Sequence, residues 1–176
     1  MKGENARRGA ARPETSRIQA ARPGNARQIL WWIVLLVYVC VIYGHSLTPA
    51  DLSSQESGAV LELCRSVLEG LGLESAWLTE HLVRKTAHFA EYAGLGVLLA
   101  VNFRPWRGPA PGGFWPRVRG ALELALAVPL VDETIQLFVE GRSGQISDVW
   151  LDLAGALCGL GAACLLGLRL RGRELS

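Results

Sequence analysis

The chain has 176 residues, half of them hydrophobic and 19% charged, with a formal net charge of +2. That length suits one domain, and the charge falls short of the about 25% usual in soluble globular domains. The charges crowd into the first 28 residues, one middle loop and the last few positions, so a membrane class is favoured and no nucleic acid is expected among the partners.

Residues 1–28, rich in Arg, Ala, Gly and Pro, read as a basic, disordered cytoplasmic tail able to rest on anionic lipid. The first apolar segment, about Ile29 to Tyr43, opens with Trp31 and Trp32 and reads as a membrane span. Its basic leader is long for a cleaved signal, no small-x-small site follows, and Val39 precedes Cys40 where a lipoprotein needs a small residue. A permanent anchor is therefore expected. The next loop, about His45 to Arg84, holds Val60, Leu61, Leu63, Val67, Leu68 and Leu71 at helical spacing between Gly58 and Leu73. Glu62, Arg65, Ser66 and Glu69 fill the other face, which predicts an amphipathic helix lying at the membrane interface.

Three more spans follow, about Thr86 to Phe103, Gly120 to Phe138 and Val149 to Leu168, before a short basic cytoplasmic tail at 169–176. The expected architecture is thus all-α: a four-transmembrane-helix bundle over 29–168, with the amphipathic helix in its first outer loop. Fourteen of the eighteen basic residues fall in the N-terminal tail, the loop between spans two and three, and the C-terminus. The two alternate loops carry acids such as Asp51, Glu56, Glu62, Glu69, Glu74 and Glu80. Lys and Arg concentrate on the cytoplasmic side, so both termini are expected there, with the protein multi-pass in the cytoplasmic membrane. Trp106 and Trp115 read as interfacial anchors beside the Pro/Gly-rich turn. Cys40, Cys64, Cys158 and Cys164 form no metal or disulfide spacing and read as small apolar residues. Gly155 and Gly159 form a small-residue seam for close helix approach, and offer a contact through which copies could associate.

The polar residues inside the spans carry the functional signal. Lys85, His88 and Glu91 fall at i, i+3 and i+6, within an arc of about 120° that also holds Tyr92. Span three ends with Asp132, Glu133 and Gln136, after Pro129 has removed a backbone donor. Gly141-Arg142-Ser143-Gly144 makes a tight turn whose backbone donors and guanidinium could hold an anion. Asp148 then either caps span four, as Ser147 also could, or faces the cluster with Asp152 one turn on. The spans' alternation puts all nine residues in the outer half of the bundle. A charge in the hydrocarbon costs about 2.5–3.5 kcal/mol on insertion scales, so several together imply a shared polar pocket or an ionic lock between helices.

Arg84-Lys85-x-x-His88-Phe89-x-Glu91-Tyr92 and Asp132-Glu133-x-x-Gln136-x-Phe138-x-x-Gly141-Arg142, followed by Asp148 and Asp152, resemble the VanZ-like family of bacterial membrane proteins. That family is named for a teicoplanin-resistance accessory protein. The similarity covers about residues 29–168. It implies a role at the outer face of the cell envelope and, for some members, reduced susceptibility to lipoglycopeptides. It supplies no established reaction and no catalytic roles.

Three functions fit these residues. In the first, Arg142 and Lys85 take the anionic headgroup of a lipid-linked or lipophilic ligand, with spans two and four walling its chain. In the second, an outer-leaflet hydrolase or transferase uses His88 as acid or base, oriented by Glu91 or Asp132. His88, Glu91, Asp132 and Glu133 could there hold a divalent cation, magnesium or manganese by their oxygen-rich character. No nucleophile motif or Gly-rich phosphate loop adds to this, and no cofactor is assigned. The third, a proton or solute path, finds only Glu123 in the inner half.

Overall fold

The structure, a computed structural model, describes residues 23–105 and 114–174. They form five helices: α1 (Pro23–Ser46), α2 (Ala50–Gly70), α3 (Glu80–Phe103), α4 (Phe114–Gln136) and α5 (Ile146–Glu174). The expectations for residues 1–22 and for Trp106 lie outside the described residues.

The helices run past the apolar segments that announce them. α1 begins at Pro23 rather than at Ile29, α3 at Glu80 rather than Thr86, and α5 continues to Glu174. Polar flanking turns extend a helix wherever their end groups are satisfied. Proline opens α1 and precedes α2 as Pro49, where its missing N–H costs nothing. Thr79 caps α3 by accepting a hydrogen bond from the Leu82 amide at 3.2 Å. Arg104 closes α3 in the left-handed region, φ 48°, its N–H bonded to the Ala100 carbonyl.

Two helices are long and apolar enough to cross a membrane, over Ala26–Ser46 and Ile146–Leu170. α3 and α4 are more polar, carrying Glu91 and Asn102 in one and Glu123, Asp132 and Glu133 in the other. α1 exposes apolar side chains on most of its circumference, from Ile29 and Leu30 to Val37 and Val41, and buries Leu35 and Ile42. A helix apolar on all sides belongs in lipid or in a large core. Among the described residues the buried set is confined to one thin stripe and makes no large core.

That stripe is built on α3 and α5, which share by far the largest interface. Tyr92, Leu95, Leu99 and Ala100 on α3 are fully buried, with Ala156 on α5 and Ala121 and Ala125 on α4 around them. The two helices run parallel and touch backbone to backbone. A Cβ on Gly155 would lie 2.5 Å from the Phe89 carbonyl oxygen, one on Gly159 would collide with that of Ala93, and one on Gly96 with that of Ala156. The expected glycine seam is therefore real, but it is used within the chain. Gly155 and Gly159 are buried under α3 and are not available to join two copies.

α2 packs on α3 through a half-buried stripe of Ser57, Leu61, Arg65 and Leu68, and Arg65 donates to the Leu78 carbonyl at 2.7 Å. Its larger apolar residues Val60, Leu63 and Val67 stay exposed, so α2 has an apolar side turned away from the bundle. The Ala50 amide reaches the Glu140 carbonyl at 3.4 Å, which seats the start of α2 against the α4–α5 loop. Gly141 makes this possible: its φ of +74° favours glycine, and Ala50 lies against it.

Candidate functional site

The ends of α1 and α4 and the beginnings of α3 and α5 meet at one end of the bundle. Asp132 sits at its centre, fully buried, one turn before α4 stops. Its carboxylate accepts from Ser46 Oγ at 2.5 Å and from Gln136 Nε2 at 3.4 Å, and Gln136 also donates to Ser46 at 3.3 Å. Ser46 terminates α1, so this triangle fixes α1 to α4. Removing one partner of a buried hydrogen bond costs about 1–3 kcal/mol, and Ser46→Ala should lower the thermal midpoint of the detergent-solubilised protein by several degrees. A midpoint equal to that of the parent would mean that the triangle carries no load.

One turn into α3 from Lys85 comes His88, half-buried, whose Nδ1 stands 3.9 Å from the fully buried carboxylate of Asp152 on α5. Above it Lys85 forms an ion pair with Asp148 at 2.9 Å, both about one-third exposed. Asp148 thus lies in the first turn of α5, where a negative charge suits the helix dipole, and faces the cluster. The chain enters α5 with the Asp148 and Val149 amides on the Gln145 carbonyl, so neither Asp148 nor Ser147 is the cap.

Lys85, His88, Glu133, Gln136, Arg142, Asp148 and Asp152 line one cleft of about 90 Å³, with His81, Arg84 and Gln145 beside them. Seven of the nine expected residues therefore border one space. Asp132 lies behind it, its carboxylate near the His88 ring and the Asp152 carboxylate. Glu91 does not join them. Its carboxylate turns to His45 Nδ1 at 3.1 Å, into a second compartment of about 260 Å³ under α2, while Tyr38 donates to its backbone carbonyl at 2.9 Å. An i, i+6 spacing places Glu91 near the edge of the arc, and the His45 ring at the end of α1 draws it away. The expected roles of Glu91 in orienting His88 or in a four-residue metal set are corrected accordingly, and Asp152 takes its place beside the ring.

The loop after α4 is tied back to that helix. The Arg142 amide bonds to the Val139 carbonyl at 3.2 Å, and the Gln145 amide to Glu133 Oε2 at 2.9 Å. One donor of the turn, the Arg142 amide, is thus engaged within the chain, and Glu133 holds the loop through the Gln145 amide just beyond it. Spans two and four pack too tightly against each other to admit a chain between them, and span two contributes Leu95 and Leu99 to an apolar groove. The apolar groove, about 300 Å³, lies between α1 and α4 and is lined by residues such as Trp32, Val39, Leu124 and Val131.

Arg84, His88 and Arg142 line both the cleft and the second compartment. Burial, and next the facing Arg84 guanidinium, lower the pKa of Arg142, while Asp132 and Glu133 oppose that shift. Among the described residues neither guanidinium is ion-paired. Two guanidinium groups without an ion-pair partner among the described residues thus border the same recess.

At the opposite end, Asn102 is buried and donates to the Trp31 carbonyl at 3.2 Å and the Leu98 carbonyl at 2.9 Å, with Gln28 donating to its own carbonyl at 3.3 Å. Glu123, the residue expected to line the inner half, instead pairs with Arg119 on the exposed side of α4. Asn102 serves as a hydrogen-bonded lock between α1 and α3 at that end. Ser46, His45 and Tyr38 were also missed, because a lone Ser, His or Tyr around an apolar run carries no spacing signal until its helix meets a partner.

The VanZ/LLP1 family model matches residues 31–167. No curated protein and no solved structure matches the chain.

Proposed function

The chain belongs to the VanZ/LLP1 family, and from that premise we propose that it spans the bacterial cytoplasmic membrane four times and binds an anionic, lipid-linked or lipophilic ligand in its outward cleft. In this reading residues 29–168 form the membrane domain, between cytoplasmic basic tails at 1–28 and 169–176. The alternation of basic and acidic loops supports that topology. α3 and α4 cross with their polar faces turned inward, Asp132 of α4 shielded by Ser46 and Gln136, while Lys85 and His88 of α3 face the α5 acids Asp148 and Asp152.

The observation that carries the ligand is the pair Arg84 and Arg142, which line the same cleft, repel each other, and form no ion pair among the described residues. A phosphate between them would satisfy both forks, and Lys85 adds a third positive charge at the rim. The apolar side of α2 rests on the outer leaflet. Sequestering such a headgroup from the outer surface is the route by which the protein would alter lipoglycopeptide (teicoplanin) susceptibility. One observation favours a second reading, an outer-leaflet hydrolase or transferase: the His88 ring beside the Asp152 carboxylate at 3.9 Å, an arrangement suited to a general base. Turnover of a phosphate-bearing lipid would distinguish it.

In a chain whose four cysteines are replaced, Ser143→Cys at the cleft rim should be labelled by an impermeant maleimide on intact cells. Gly112→Cys should be labelled only after the membrane is opened. A long-chain alkyl monophosphate should protect Ser143→Cys, and the matching alcohol should not. Labelling of Gly112→Cys from outside, or equal protection by both lipids, would contradict the reading.

A further inference from the structure

The floor of the cleft holds two buried carboxyl groups, of which only one is hydrogen-bonded. Asp132 and Asp152 are both fully buried and approach the same His88 ring. Asp132 is held in place through both its oxygens by Ser46 and Gln136. Asp152 is not: neither carboxylate oxygen has a hydrogen-bond partner, and the His88 ring at 3.9 Å is its one ion-pair neighbour among the described residues. A buried carboxylate without hydrogen bonds is among the costliest arrangements a fold can carry. It is not a packing accident, because α5 is anchored on α3 by the close contacts at Gly155 and Gly159 and aims Asp152 inward one turn earlier.

One atom each from His88, Asp132 and Asp152 lies within 4.8 Å of the others. Ligand atoms about 2.1–2.2 Å from a shared ion stand at most about 4.4 Å apart, so a contraction of a few tenths of an ångström brings them together. We infer that His88, Asp132 and Asp152 bind one divalent cation of the manganese or zinc type, held at the floor of the cleft. Two carboxylates with one imidazole suit those ions better than magnesium, which dehydrates reluctantly and takes oxygen ligands, or copper, which prefers more nitrogen. The hydrogen bonds from Ser46 and Gln136 to Asp132 are of the kind that orient a ligating carboxylate. Three protein ligands leave positions open toward the cleft, where an oxyanion between Arg84 and Arg142 could complete the shell. The cation site stands on this geometry alone; only its service to a headgroup rests on the function proposed above.

The test uses the full chain, purified in a neutral detergent, stripped with chelator and free of added lipid. Titration with Mn²⁺, followed by electron paramagnetic resonance and calorimetry, should give one ion per chain, displaced by Zn²⁺, and a higher thermal midpoint in its presence. Asp152→Asn, which keeps the shape and removes the charge, should weaken Mn²⁺ binding by about 100-fold while melting no lower than the stripped parent. His88→Gln serves as a second variant if Asp152→Asn does not accumulate, and Glu123→Gln, at the other end of α4, should bind as the parent does. Parent protein that binds neither ion below about millimolar concentration would overturn the site. So would Asp152→Asn, or His88→Gln in its stead, binding with undiminished affinity.

Discussion

Replacing Gly159 with leucine should leave almost no folded protein. A Cβ at that position collides with the Ala93 carbonyl oxygen and comes within 2.7 Å of its carbon and 3.0 Å of its Cα. All three atoms are backbone of α3, so no side chain can rotate to make room. Overpacking commonly costs about 1–3 kcal/mol where neighbours can yield, and here the neighbour is the helix on which α5 depends for its largest interface. Gly155→Leu should fail likewise against the Phe89 carbonyl, whereas Gly161→Leu, with nothing within 4 Å of its added Cβ, should accumulate and melt as the parent does. Size-exclusion profiles and thermal midpoints of the three variants in detergent check this. Folded monomeric Gly159→Leu would place the seam at a contact between copies instead.

Arg142→Ala should have the opposite signature: full loss of any envelope phenotype the parent confers, with the fold intact. The guanidinium forms no ion pair among the described residues and faces the like charge of Arg84, so its removal relieves repulsion and breaks no bond. The midpoint should stay within about 2 °C of the parent, since surface substitutions away from packed features fall within about ±0.5 kcal/mol. Any change in lipoglycopeptide susceptibility that the intact protein confers should vanish at equal protein level. Arg142→Lys should recover only part of it, because an ammonium supplies charge without the planar fork. Loss of phenotype only in proportion to lost protein would assign Arg142 to the fold.

The contrast between these two variants reflects what could be read in the sequence. Helical order and number were legible because apolar runs and charged breaks alternate, and the clustering of Lys85, His88, Asp132 and Asp152 was legible because ionisable residues interrupt apolar runs there on one helix face. Helix ends were not: a capped polar turn such as Thr79–Leu82 extends a helix without any apolar signal. Nor was the direction of Glu91, decided by His45 on another helix, 46 residues away in the chain. Ser46 was invisible for the same reason, since its value arises only where α1 meets Asp132 and Gln136. Spacing fixes which face a residue occupies, but the choice among partners on that face belongs to tertiary packing.

The most direct test of the account is equilibrium binding to the purified protein of a long-chain alkyl monophosphate, against the same chain ending in a hydroxyl. The parent should prefer the phosphate by at least about tenfold, the equivalent of one charge-assisted hydrogen-bond pair at about 1.4 kcal/mol, and the Arg84→Ala/Arg142→Ala double variant should bind the two alike. Equal affinity of the parent for both lipids, or a preference that survives in the double variant, would contradict an anion site between Arg84 and Arg142.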